Sequence, residues 1–135
     1  MSQEDFSDLL STAKQIECNS YSPLSNRSNG VALLSENGEI YTGCTLEISN
    51  FSSSVCAAKV ALVKAISDGV RKFSAVAITG DNADINYLCG DCRQTYAEFG
   101  TDLIVISELY PDDQKVLSDL LPQTERGVSR FDKST

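Results

Sequence analysis

The sequence predicts an α/β fold, with helices covering both faces of a sheet. Three observations point there. Helical and strand-like patterns follow one another in the order α, β, β, α, β, α, β, α. The strand-like runs are short and apolar, as expected for strands buried on both faces. The chain has 135 residues and is 41% hydrophobic, enough for one compact core. No repeat or linker divides it, so residues 1–135 are expected to form one domain.

Ser2 is placed to cap a first helix, Gln3 to Ile16, with Phe6, Leu9, Leu10, Ala13 and Ile16 on one face. Asn19 to Asn29 is rich in Ser, Asn and Pro and reads as a loop. Gly30 to Leu34 and Glu39 to Thr42 flank Glu36-Asn37-Gly38, a hairpin signal in which both Asn37 and Gly38 are expected at positive φ. Thr45 to Ile48 extends the second strand into a Ser-rich loop, Ser49 to Ser54. A helix from about Val55 to Asp68 is apolar on most sides, so it is expected to be buried, and Gly69 ends it. Phe73 to Thr79 reads as a strand, Cys89 to Phe99 as a helix ended by Gly100, and Leu103 to Ile106 as a strand. A last helix, Lys115 to Leu121, stops at Pro122. The polar tail from Gln123 to Thr135 is expected to be loose.

Composition narrows the function. The net charge of −8, with Arg71-Lys72 as the densest basic cluster, argues against nucleic acid and favours a small ligand. No apolar run reaches the ~20 residues of a membrane helix, and the acidic start Met1 to Asp5 is unlike a secretory signal. A soluble cytoplasmic protein is expected. The absence of histidine excludes Ser-His-Asp and Cys-His catalysis. Any transition-metal site must then use thiolates and carboxylates.

Five cysteines, an odd number, disfavour a disulfide framework. Cys89 and Cys92 open one helix and Cys56 lies in the first turn of another. Helix starts favour thiolates. Three protein ligands suit a catalytic zinc, whereas a closed structural site has four, and Cys44 could supply the fourth. Lys59 and Arg93 are placed to offset thiolate charge, or are ordinary solvated cations. The plainer alternative is a core Cys56 and an accidental Cys-x-x-Cys.

At these residues the chain resembles the cytidine deaminase family, in its small form with three cysteine ligands. The pattern Cys-Ala-Glu, then Pro-Cys-Gly-x-Cys-Arg-Gln, is met by Cys56-Ala57-Ala58 and by Leu88-Cys89-Gly90-Asp91-Cys92-Arg93-Gln94. Tyr21-Ser22-Pro23, Gly30 to Leu34, Gly43 to Glu47, Ala65 to Gly69, Ala97 to Gly100 and Leu120-Leu121-Pro122 extend the likeness over almost the whole chain. It implies a three-layer α/β/α sandwich on a mixed sheet of about five strands. It implies zinc on Cys56, Cys89 and Cys92, and hydrolytic removal of the C4 amine of cytidine or deoxycytidine by zinc-activated water. It also implies a homotetramer with active sites completed by neighbouring subunits. Thr45 and Glu47 stand where an Asn and a Glu hold the ribose. Arg27 stands where an aromatic flanks the base, and Ala57 belongs to the same implied pocket. Phe51, Tyr21 and Tyr87 are further pocket candidates, or equally core residues.

The resemblance also implies a loss. The proton-shuttling glutamate is replaced by Ala58, so the chain is expected to be inactive or crippled. Two origins fit: an engineered Glu→Ala change, or natural divergence to a pseudoenzyme. Leu88 for Pro, Thr45 and Ile48 for two Asn, and Gln123-Thr124-Glu125 in place of an aromatic-glycine pair weigh towards divergence. They fit a different substrate equally, as in the related blasticidin S deaminases. A binding or scaffold protein, or a structural zinc domain closed by Cys44, completes the alternatives.

Overall fold

Ser2 caps α1 (Gln3–Glu17) by accepting from the Asp5 amide, and the Asp5 carboxylate accepts from the Ser2 amide in return. Such a reciprocal cap is worth about 1 kcal/mol. The structure is a computed structural model that describes residues 2–80 and 87–121. Pro122 and the tail Gln123 to Thr135, expected to be loose, lie outside the described residues.

Five strands form one mixed sheet in the order β2-β1-β3-β4-β5: β1 (Asn29–Ser35), β2 (Ile40–Cys44), β3 (Phe73–Gly80), β4 (Ile104–Ser107) and β5 (Lys115–Val116). The β3–β4 pair is parallel and the other pairs are antiparallel. The parallel pair is joined through α3 (Gly90–Ala97), as a crossover requires. Helices α2 (Ala57–Ser67) and α4 (Leu117–Leu120) complete the chain order.

Side-chain alternation divides the core in two. Val31, Leu33, Val76, Ile78 and Val105 face α2 and α3, packing on Ala58, Ala61, Leu62, Ala65, Cys92 and Tyr96. Ala32, Ala75, Ala77 and Ile106 face α1, packing on Leu9 and Ala13. The α1 side is close-fitting: a Cβ on Gly30 would collide with the Ala13 carbonyl.

Several expectations are corrected. In the β1–β2 turn Gly38 has φ +93°, but Asn37 is not at positive φ. Asn37 instead uses its side-chain oxygen, accepting from the Ser35 hydroxyl and the Glu39 amide. Strand β2 stops at Cys44. Leu46 beyond it makes only isolated bridges, to Tyr21 and Val55. The Ser-rich loop contains a 3₁₀ turn, Phe51–Ser53. Helix α2 is not buried on all sides, because Val63 is exposed. Two-residue β5 takes the start of the segment read as the last helix.

Candidate functional site

The cysteines expected in the first turns of two helices stand one step earlier. Cys56 is the N-cap of α2 (φ −75°, ψ 152°) and Cys89 the N-cap of α3 (φ −76°, ψ 167°). Cys92 alone lies within a first turn. Their three sulfurs fall within 4.8 Å of one another. Cys44 is not part of this group, so no fourth thiol joins it among the described residues. The Cys56 and Cys92 sulfurs are 3.0 Å apart. That contact holds the Cys56 thiol down at about 6, with Lys59 adding a smaller attraction. The same contact and burial push Cys92 up. Cys56 is thus the sulfur readier to ionise and Cys92 the one that holds its proton, which a bound cation would release.

The supporting cations divide. Lys59 Nζ sits 2.6 Å from the Asp91 carboxylate, tying α2 to α3, and its charge also acts on Cys56. Asp91 points outward, as expected for a residue between two ligands. Arg93 does not reach a sulfur: its Nε donates to the Tyr87 carbonyl at 3.3 Å and its guanidinium to the Leu120 carbonyl at 3.4 Å. It anchors the segment leading to Cys89. Two features escaped the sequence reading. The buried Tyr96 hydroxyl donates to the Ala58 carbonyl at 2.7 Å, a second tie between α3 and α2. Leu88 holds φ +76° just before Cys89, a conformation that costs a bulky residue about 1–3 kcal/mol.

Lys59→Ala is expected to weaken zinc affinity about tenfold, within the range for groups supporting a ligand. Asp91→Ala is expected to weaken it less, because an exposed ion pair is worth only about 0–1 kcal/mol and the lysine charge remains. Competition with a chromophoric chelator checks the order.

Two cavities meet at the cysteines. The inner one, about 30 Å³, is lined by the three thiols with Ala57, Ala58 and Asn29 among its walls. The outer one, about 510 Å³, is lined by Arg27, Thr45, Glu47 and Phe51 and shares Cys56 and Asn29 with the first. Those four candidates therefore do converge. Tyr21 and Tyr87 line neither cavity: Tyr21 is exposed, and Tyr87 stacks on Tyr110 at 5.9 Å. Thr45 Oγ1 accepts from the Asn29 amide at 3.2 Å. The carboxylate of buried Glu47 is engaged by its own chain. It accepts from the Ser25 hydroxyl and from the Leu24 and Ser25 amides at 2.9 and 3.1 Å.

The Ser25 hydroxyl, and then its amide, hold the Glu47 carboxyl below its usual range. A lowered folded value contributes stability above the unfolded pKa of about 4.3 and loses it as pH falls through the folded value. Melting curves between pH 3 and 6 are expected to show part of the acid loss in the parent absent from Glu47→Gln.

The chain is similar to known proteins along most of its length. Residues 1–80 match the model of the cytidine and deoxycytidylate deaminase zinc-binding region. The cytidine deaminase of Sporosarcina psychrophila is 39% identical over 121 residues, covering 87% of this chain and 89% of the relative. The chain belongs to this deaminase family. The cytidine deaminase structure from Burkholderia pseudomallei superposes with a TM-score of 0.77 at 30% identity, covering 93% of this chain and 100% of that one. A Glu→Gln mutant of the Mycobacterium tuberculosis cytidine deaminase gives 0.81 at 28% identity, over 90% and 98%. The α/β fold and mixed five-strand sheet are those of cytidine deaminases.

The deaminase family is zinc-binding, and the donor set here fits that metal. Three soft sulfur donors within 4.8 Å of one another suit zinc, and two helix N-termini offset part of their charge.

Proposed function

We propose that this chain is a nucleoside-binding member of the deaminase family whose hydrolytic step is disabled at Ala58. In this reading Cys56, Cys89 and Cys92 hold the zinc. When bound, the metal supplies Lewis acidity that activates water for attack at C4 of an aminated pyrimidine. The observation that carries the reading is Ala58, 97% buried, in the cavity wall beside all three thiols. An alanine methyl can neither take a proton from attacking water nor give one to the ring nitrogen or the leaving amine. Among the described residues that line the inner cavity there is no carboxylate or imidazole to replace it.

The rest of the chain's part is binding. Cys56 and Asn29 stand where the two cavities meet, so a base reaching the thiols leaves its sugar in the outer cavity with Thr45, Arg27 and Phe51. With the Glu47 carboxylate held by Ser25 and Leu24, Thr45 is the side chain placed to meet a sugar hydroxyl. That engagement also favours the second reading, a blasticidin S deaminase-like enzyme or a binding or scaffold protein without chemistry. Zinc content by emission spectroscopy, with equilibrium binding of cytidine, tests the proposal. One zinc per chain and measurable cytidine affinity support it, and zinc without affinity favours the second reading.

Residues 1–135 are read as one domain acting as a cytoplasmic homotetramer. Tyr21, Leu24, Ile48 and Phe51 are exposed, the last 62% so at the outer cavity, and a neighbouring subunit there would cover them. A mass near four chains in light scattering is the expected result. No described helix is long and apolar enough to cross a membrane.

A further inference from the structure

Asn29, read from the sequence as the end of a loop, is the first residue of β1 and is only 9% exposed. It lines both cavities. The other described residues of the inner cavity have thiol, alanine, isoleucine and leucine side chains, so Asn29 is the one lining residue there with an amide side chain. Its Nδ2 donates to the Thr79 carbonyl at 3.2 Å. Gly80 leaves the space: a Cβ there would collide with that nitrogen.

The Thr79 contact settles the amide's orientation. A flipped amide would set its oxygen against the Thr79 oxygen, so the nitrogen faces Thr79 and Oδ1 is the remaining acceptor. Among the described residues nothing donates to Oδ1. The side chain that carries it is 9% exposed and lines both cavities, where a ligand N–H can meet this oxygen.

We infer that Asn29 contacts the ligand, its Oδ1 accepting a hydrogen bond from the exocyclic amine of an aminated base. This rests on the nucleoside reading above and deepens it. The carbonyl at the same position of a uracil base offers a second acceptor, which Oδ1 repels. A neutral amide transfers no proton, so Asn29 contributes recognition without turnover, consistent with a site that has Ala58 in its wall.

Titration calorimetry of cytidine and uridine against the zinc-loaded full chain tests this, with Asn29→Val and Asn29→Ser as paired variants. The parent is expected to prefer cytidine about tenfold, the ordinary worth of one buried hydrogen bond gained against one acceptor left unpaired. Both variants are expected to lose most of that preference while keeping one zinc per chain. A parent that binds both nucleosides equally overturns the inference without recourse to any variant. So does a parent that prefers cytidine while a folded variant keeps the preference, and in both cases the nucleoside reading stands. A parent that binds neither overturns the nucleoside reading and this inference with it.

Discussion

Ala58→Glu is expected to create cytidine deamination where the parent shows none above background, by a factor of at least about 10²–10⁴. The position explains the size. Ala58 is 3% exposed, is the second residue of α2, and shares a cavity wall with Cys56, Cys89 and Cys92. A carboxyl there would be partly desolvated and beside thiolates. Both effects raise its pKa, which suits a group that must take a proton and give it back near neutral pH. The same burial carries a stability cost, so a lower melting temperature is expected in the variant. Loss of cytidine absorbance is the readout, with zinc content confirmed in both proteins. Turnover by the variant alone establishes a working pocket disabled at one residue. Silence from both, with zinc bound, sinks the cytidine reading and leaves another substrate or a role without chemistry.

Cys92→Ser is expected to remove the metal. Cys92 is 1% exposed, packs in the larger core cluster and contacts the Cys56 sulfur. Groups that merely support a metal ligand are worth about 10–100-fold in affinity, and a direct thiolate is worth more. Zinc content is therefore expected to fall from one per chain to near zero after dialysis, with a drop in melting temperature from the lost linkage. Cys44→Ser is the matched control and should keep its zinc, since Cys44 lies outside the sulfur group. Equal loss in both variants would return the fourth-ligand alternative and close the site to water.

The parts of this molecule legible in its sequence are those set by local rules. Ser2 announces α1 because a cap acts within three residues, and the Ala13 face follows from helical period. The three cysteines were legible because zinc chemistry selects thiols at helix starts. What was hidden depends on partners far along the chain. β5 has two residues, too few to show alternation, and exists because β4 offers an edge. Asn29 reads as a turn residue beside a glycine, and its burial comes from pairing with Gly80, fifty-one positions away. Glu47 reads as a sugar ligand, and the Ser25 and Leu24 groups that also hold its carboxylate lie more than twenty positions away. Arg93 reads as a thiolate partner until the Leu120 carbonyl arrives.

The division of the sheet into an alanine face and a valine-leucine-isoleucine face separates two kinds of evolutionary freedom. On the α1 side Ala32, Ala75 and Ala77 are fully buried and Gly30 lies hard against the Ala13 carbonyl, so an added methylene overpacks the layer. That side carries no part of the site and acts as a fixed chassis. The opposite side holds the bulkier side chains and the inner cavity, so a change of side chain at position 58 meets that face and not the α1 face. Shape and chemistry thus rest on different faces of one sheet.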